Sequence, residues 1–157
     1  MSDEIVKIND KIVNPVDFFK DVAEEFRSKG LKNFHFLMPD GDSDVFVTRY
    51  STCGRHICFT KKELLILGRK ESNYSIIRKA SLFKVRWKIR LFKIQTIMPI
   101  YNNKKIICLI LFGDKFIGNW LNEYLTNIKQ DIEFCLSSIL LYNQTLERIK
   151  REYGEDI

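Results

Sequence analysis

The run IICLILF, residues 106–112, holds no charged side chain and no alternation of apolar with polar residues. A strand with one wet face alternates with a period of two, so a strand apolar on both sides needs cover on both faces. The run is far short of the roughly 20 residues that a membrane-spanning helix requires. It therefore predicts the central strand of a sheet, with one packed layer above and one below.

The flanking sequence supplies the rest of such a sheet. KIQTIMPI, residues 93–100, alternates Ile94, Thr96, Met98 and Ile100 against Gln95 and Ile97, and YNNKK is turn chemistry leading into the central strand. Upstream, NFHFLM alternates Phe34, Phe36 and Met38 against His35 and Leu37; PDG at 39–41 turns the chain, and DVFVTRY returns as a β-branched, aromatic run. RHICF, after STCG, reads as a shorter strand. Ahead of these, Asn14 is a natural N-cap and Pro15 suits the first helical position. Val16, Phe19, Ala23 and Phe26 form one stripe, and Gly30 suits the left-handed stop, which together predict a helix from about 15 to 29. TKKELLILG reads as a short helix with Thr60 as cap and Gly68 as stop. Residues 69–83 are weakly patterned, a mixture of loop and helix.

The carboxyl-terminal third is the most regular part. Leu125, Ile128, Ile132, Cys135, Ile139, Tyr142, Leu146, Ile149 and Tyr153 alternate spacings of three and four. This a/d repeat predicts a helix from about 119 to 153 that pairs with a second helix. Leu136 and Leu140 widen the stripe where the helix rests on the sheet. The predicted dimer interface is Ile128, Ile132, Cys135, Ile139, Tyr142, Leu146 and Ile149.

At 157 residues the chain reads as one domain, with no low-complexity tract or repeat. The polar start MSDEIVKIND does not read as a signal peptide, so the expectation is a cytoplasmic protein with no membrane partner. Cys53, Cys58, Cys108 and Cys135 lack CxxC spacing and read as buried thiols rather than metal or redox centres. The net charge of +6 is local in origin: residues 61–93 hold eleven Lys/Arg and two acids.

Within that basic segment KVRWKIRLFK, residues 84–93, fits two patterns. Lys84, Arg86, Lys88 and Arg90 alternate with Val85, Trp87, Ile89 and Leu91 as in a strand, whereas Leu82, Val85, Ile89 and Phe92 recur as on a helix.

The element order, with TIMPIYNNKKIICLILFGDKF at 96–116 and LSSILLYNQTLER at 136–148, resembles the GAF domain, a small-molecule sensor of signalling proteins. In that family a strand ending in Pro-Ile or Pro-Leu leads through a short basic turn to an apolar strand ending in Gly, then to the last helix. The resemblance covers about 15–150. It implies an α+β fold: a central antiparallel sheet over about 33–113, the amino- and carboxyl-terminal helices on one face, and a helical insertion over the other. It also favours the helical reading of KVRWKIRLFK, with Val85, Ile89 and Phe92 toward the sheet. A ligand pocket between sheet and insertion would be lined by Phe36, Tyr50, Tyr74, Trp87 and Thr96. Lys84, Arg86, Lys88 and Arg90 would meet anionic groups there.

Specific chemistry is sparse. Asn103-Lys104 is present, but the Phe and Asp-Glu that accompany it in cyclic-nucleotide-binding GAF domains are missing, so the dipeptide reads as turn residues. Cys53 and His56 are not adjacent, unlike the Cys-His of bilin-binding relatives. No Ser/His/Asp arrangement, phosphate loop or metal-ligand cluster appears, so no catalytic or metal residues are assigned and no enzyme is expected. The sequence points to a regulatory sensor acting as a homodimer. A polyanion-binding module that uses residues 61–93 on nucleic acid or an acidic partner protein is the second reading, and a ligand-free dimerisation scaffold the third.

Overall fold

The computed structural model describes residues 12–66, 75–76, 83–114 and 119–153. In chain order the elements are α1 (Pro15–Ser28), β1 (Phe34–Pro39), β2 (Val45–Ser51), β3 (Cys58–Thr60), α2 (Lys61–Ile66), β4 (Ser75–Ile76), α3 (Phe83–Phe92), β5 (Thr96–Asn102), β6 (Lys105–Phe112) and α4 (Asn119–Tyr153). The strands form one antiparallel sheet in the order β3-β2-β1-β6-β5-β4.

The apolar run occupies the middle of this sheet, as its composition requires. From Cys108 onward its residues divide by parity. Cys108, Ile110 and Phe112 join a core with Phe19, Ala23 and Phe26 of α1 and Leu125, Ile132 and Leu136 of α4. Leu109 and Leu111 join a second core on the opposite face, where Leu64 of α2 and Ile89 and Phe92 of α3 pack. The amino- and carboxyl-terminal helices thus share one face, and α2 and α3 of the insertion pack on the other.

Local chemistry sets the element ends. Asn14 Oδ1 accepts from Val16 N–H at the start of α1, an interaction whose loss costs about 1 kcal/mol at such positions. The helix ends with Gly30 at φ 89°. There Gly30 N–H donates to Arg27 O and Leu31 N–H to Phe26 O, the paired bonds of a Schellman stop. KVRWKIRLFK forms α3, the helical alternative, and it stops in the same way with a non-glycine residue. Lys93 sits at φ 54°, Lys93 N–H donates to Arg90 O and Ile94 N–H to Ile89 O. Asn103 and Lys104, at φ 51° and 69°, are the two central residues of the β5–β6 hairpin, a type I′ turn.

Two bulges alter the strand phase read from the sequence. Phe36 pairs with Tyr50 but Leu37 pairs with Thr48, so Arg49 has no residue opposite it. A second register shift falls at Ile100/Tyr101. β3 is also shorter than RHICF suggested. Arg55 and His56 are exposed and precede it.

Candidate functional site

The insertion-side face is built from side chains of the central strands. Ser51, His35, Leu111 and Ile97 stand side by side across β2, β1, β6 and β5. His35 lies within this row, only 1% exposed. Its Nδ1 lies 2.7 Å from Ser51 Oγ, and Ser51 Oγ lies 3.2 Å from Cys53 Sγ and accepts from Cys53 N–H. The other ring nitrogen, Nε2, is buried without a hydrogen-bond partner. An unpaired buried polar atom costs on the order of 1–3 kcal/mol, so it is uncommon in a settled core. Burial also lowers the His35 pKa below its ordinary 6.5, which favours the neutral ring.

A latch holds the cover on this face. Thr60 and Glu63 form a capping box at the start of α2: Thr60 N–H donates to Glu63 Oε1 and Glu63 N–H to Thr60 Oγ1. Lys88 of α3 then reaches Glu63 Oε1 at 2.9 Å, Oε2 at 3.0 Å and Cys58 O at 2.8 Å. Its ammonium also lies 5.2 Å from the centre of the Phe59 ring. Burial raises the Glu63 pKa, but hydrogen bonds from Thr60 and Lys88, with the Lys88 charge, outweigh this and leave it below 4.5.

The residues expected to line a pocket do not come together. Phe36 and Tyr50 pack on the helix side: Phe36 stacks on Phe19 at 4.7 Å and Tyr50 accepts a hydrogen bond from Arg27. Thr96 pairs with Phe112 and has the same parity as Met98, so it shares that side. The cause is a sheet covered on both faces, in which alternation does not say which parity meets which layer. The Arg49 bulge then carries Tyr50 along with Phe36. Trp87 is 50% exposed with Arg90 over its ring, while Tyr74 lies outside the described residues. Among the expected anion contacts, Lys88 is engaged by Glu63, Arg90 is exposed, and the Lys84 and Arg86 side chains lie outside the described part. The sequence placed His35 only as a strand residue of NFHFLM; in the fold its Nδ1 is hydrogen-bonded to Ser51. In the sequence its parity opposite Phe34 and Phe36 was visible, and the fold decides that this parity meets the insertion.

The cysteines also differ from expectation. Only Cys108 is buried, and burial pushes its thiol pKa far upward; Cys53, Cys58 and Cys135 are exposed.

On the helix side, α4 divides its predicted interface. Ile132 is buried in the core against the sheet and Ile128 packs beside it, so both serve the subunit itself. Leu146 is also buried, three residues beyond Asn143, whose side chain holds Val13 through both its N–H and its carbonyl. Ile139 and Tyr142 are half-buried, and Cys135 and Ile149 are exposed. Among the described residues Phe134 at 75% and Leu141 at 65% are the most exposed large apolar residues of the helix after Tyr153 is set aside. At 100° per residue they lie about 180° around the helix from Ile132. The seven-residue interval between them was readable, but the stronger a/d stripe concealed it.

No protein-family model matches this chain, and no curated protein matches it. Among solved structures, the A. aeolicus Nlh2 GAF domain in an inactive state is similar at 20% identity and TM-score 0.52, over 91% of this chain and 93% of that one. The fold is GAF-like. A segment of a methyl-accepting chemotaxis protein, residues 122 to 287, is similar at 13% identity and TM-score 0.58, over 88% of this chain and 96% of that one. Among the described residues no helix is long and apolar enough to cross a membrane.

Proposed function

We propose that this GAF-like chain is a regulatory sensor: it binds a small molecule on the insertion side of the sheet and signals as a homodimer through α4. The observation that carries the reading is the apolar stripe of α4 that faces away from its own sheet. Phe134 and Leu141 form that stripe, and Ile149 and Tyr153, which belong to the a/d side, are exposed farther along the helix. A 35-residue helix is about 52 Å long, roughly twice the span of strands of seven or eight residues. The remainder is available to a second copy. Burying a Phe or Leu side chain is worth about 1.5–3 kcal/mol, so a stripe of such residues suits pairing. The similarity in fold to a GAF domain and to part of a chemotaxis protein supports a signalling role.

Sedimentation of the wild-type chain and of a Phe134→Lys, Leu141→Lys double variant tests the pairing. A wild-type dimer and a folded monomeric variant are expected; a variant that still sediments as a dimer removes this interface. Thermal shift against metabolite panels, together with mass spectrometry of the purified protein for retained compounds, tests the sensing half.

A further inference from the structure

We propose that the insertion-side layer receives an uncharged, largely apolar small molecule whose one hydrogen-bonding group meets Nε2 of His35. The proposal rests on the sensor reading and names the chemical class of its ligand.

Geometry gives the position. Side chains stand roughly perpendicular to a sheet, and Nε2 is the ring nitrogen farther from the backbone. With Nδ1 turned to Ser51 within the sheet row, Nε2 points off the sheet into the layer beneath α2 and α3, where it is buried and unpaired. The walls give the polarity. Leu111 flanks His35 across the sheet, Leu37 follows it on the same face, and Ile97, Ile94 and Leu109 complete the surroundings. An anion taken into such a layer needs a countercharge. The described cation beside it, Lys88, already directs its three N–H bonds at Glu63 and Cys58 O. Burial keeps the imidazole itself neutral.

The hydrogen-bond chain behind the ring decides which neutral groups fit. Ser51 Oγ accepts from Cys53 N–H, so its own proton is left for His35 Nδ1 or for Cys53 Sγ. In the first arrangement Nε2 carries hydrogen and meets a carbonyl. In the second Nδ1–H donates to Ser51 and Nε2 accepts from a hydroxyl. A rotation of one hydroxyl, with the tautomer change, thus accommodates a ketone or an alcohol.

The test uses cyclohexanone, cyclohexanol and cyclohexanecarboxylate, titrated at about pH 7.5 into the full chain and a His35→Leu variant, and followed by ¹⁵N resonances of the imidazoles. The chain has only two histidines, so assignment is direct. Support consists of both neutral compounds binding, each shifting the His35 Nε2 resonance, with affinity about tenfold weaker in His35→Leu. The proposal is overturned if the neutral compounds bind without moving Nε2, if the carboxylate binds more tightly than they do, or if none of the three binds. Those last two results leave the sensor reading intact wherever the metabolite panels yield a ligand. Should His35→Leu fail to fold, the wild-type Nε2 resonance decides the matter alone.

Discussion

Burial holds the His35 imidazole below its ordinary pKa of 6.5, and its contact is the Ser51 hydroxyl, backed by the Cys53 thiol. Well above pH 6.5 the folded and unfolded chains are both neutral at this ring. Below it the unfolded chain takes up a proton that the folded one resists, so stability falls as the pH drops toward the folded pKa. Urea midpoints taken from about pH 7.5 to about pH 5.5 are expected to decline in the wild type and to flatten in His35→Leu. Equal slopes in the two proteins would mean that His35 is not the group responsible. At this scale the sequence was half legible. The parity of His35 relative to Phe34 and Phe36 was visible, but nothing in alternation says which parity meets the insertion. Phe36, Tyr50 and Thr96 were therefore assigned to a face they do not occupy, and the unpaired Arg49 in β2 is a tertiary choice with no local signature.

Elements were read more securely than their partners. The caps at Asn14 and Thr60, the Gly30 stop and the Asn103-Lys104 hairpin appear where residue chemistry placed them. The Lys88–Glu63 bond joins residues 25 apart in sequence, and no short-range pattern announces it. It fastens α3 to α2 and to the edge strand β3, and its side chains are shielded enough for the charge-assisted bonds to count, at about 1.5–3 kcal/mol. Lys88→Met is expected to lower stability by roughly that amount and to speed hydrogen exchange in α3, while β6 amides stay protected. Uniform acceleration across the sheet would show that this contact does not act locally. The a/d repeat of α4 was equally clear in the sequence, yet its first turns face the sheet of the same chain. A stripe records that a face is covered, not by whom.

For the whole molecule, one apolar strand sufficed to imply layers on both sides, and the layers are present as expected. Their mutual attachment was less visible, and Gly113 is the place where it concentrates. Gly113 N–H donates to Asn33 O, and Gln95 N–H donates to Phe112 O beside it. A Cβ added at Gly113 would run into the Asn33 side chain and come within 2.9 Å of Lys93 O. Gly113→Ala is therefore expected to cost about 1–3 kcal/mol, read from the thermal or urea midpoint, although φ there is not in the left-handed region. An unchanged midpoint would show that the three segments yield readily. The start of β1, the exit of α3 and the end of the central strand are pinned against one another at a position with no side chain to absorb movement. Lys93 O at the exit of α3 therefore stands against Gly113 with no room for a methyl group between them. Movement of α3 and of the end of the central strand is thereby coupled at one point on the rim of the sheet.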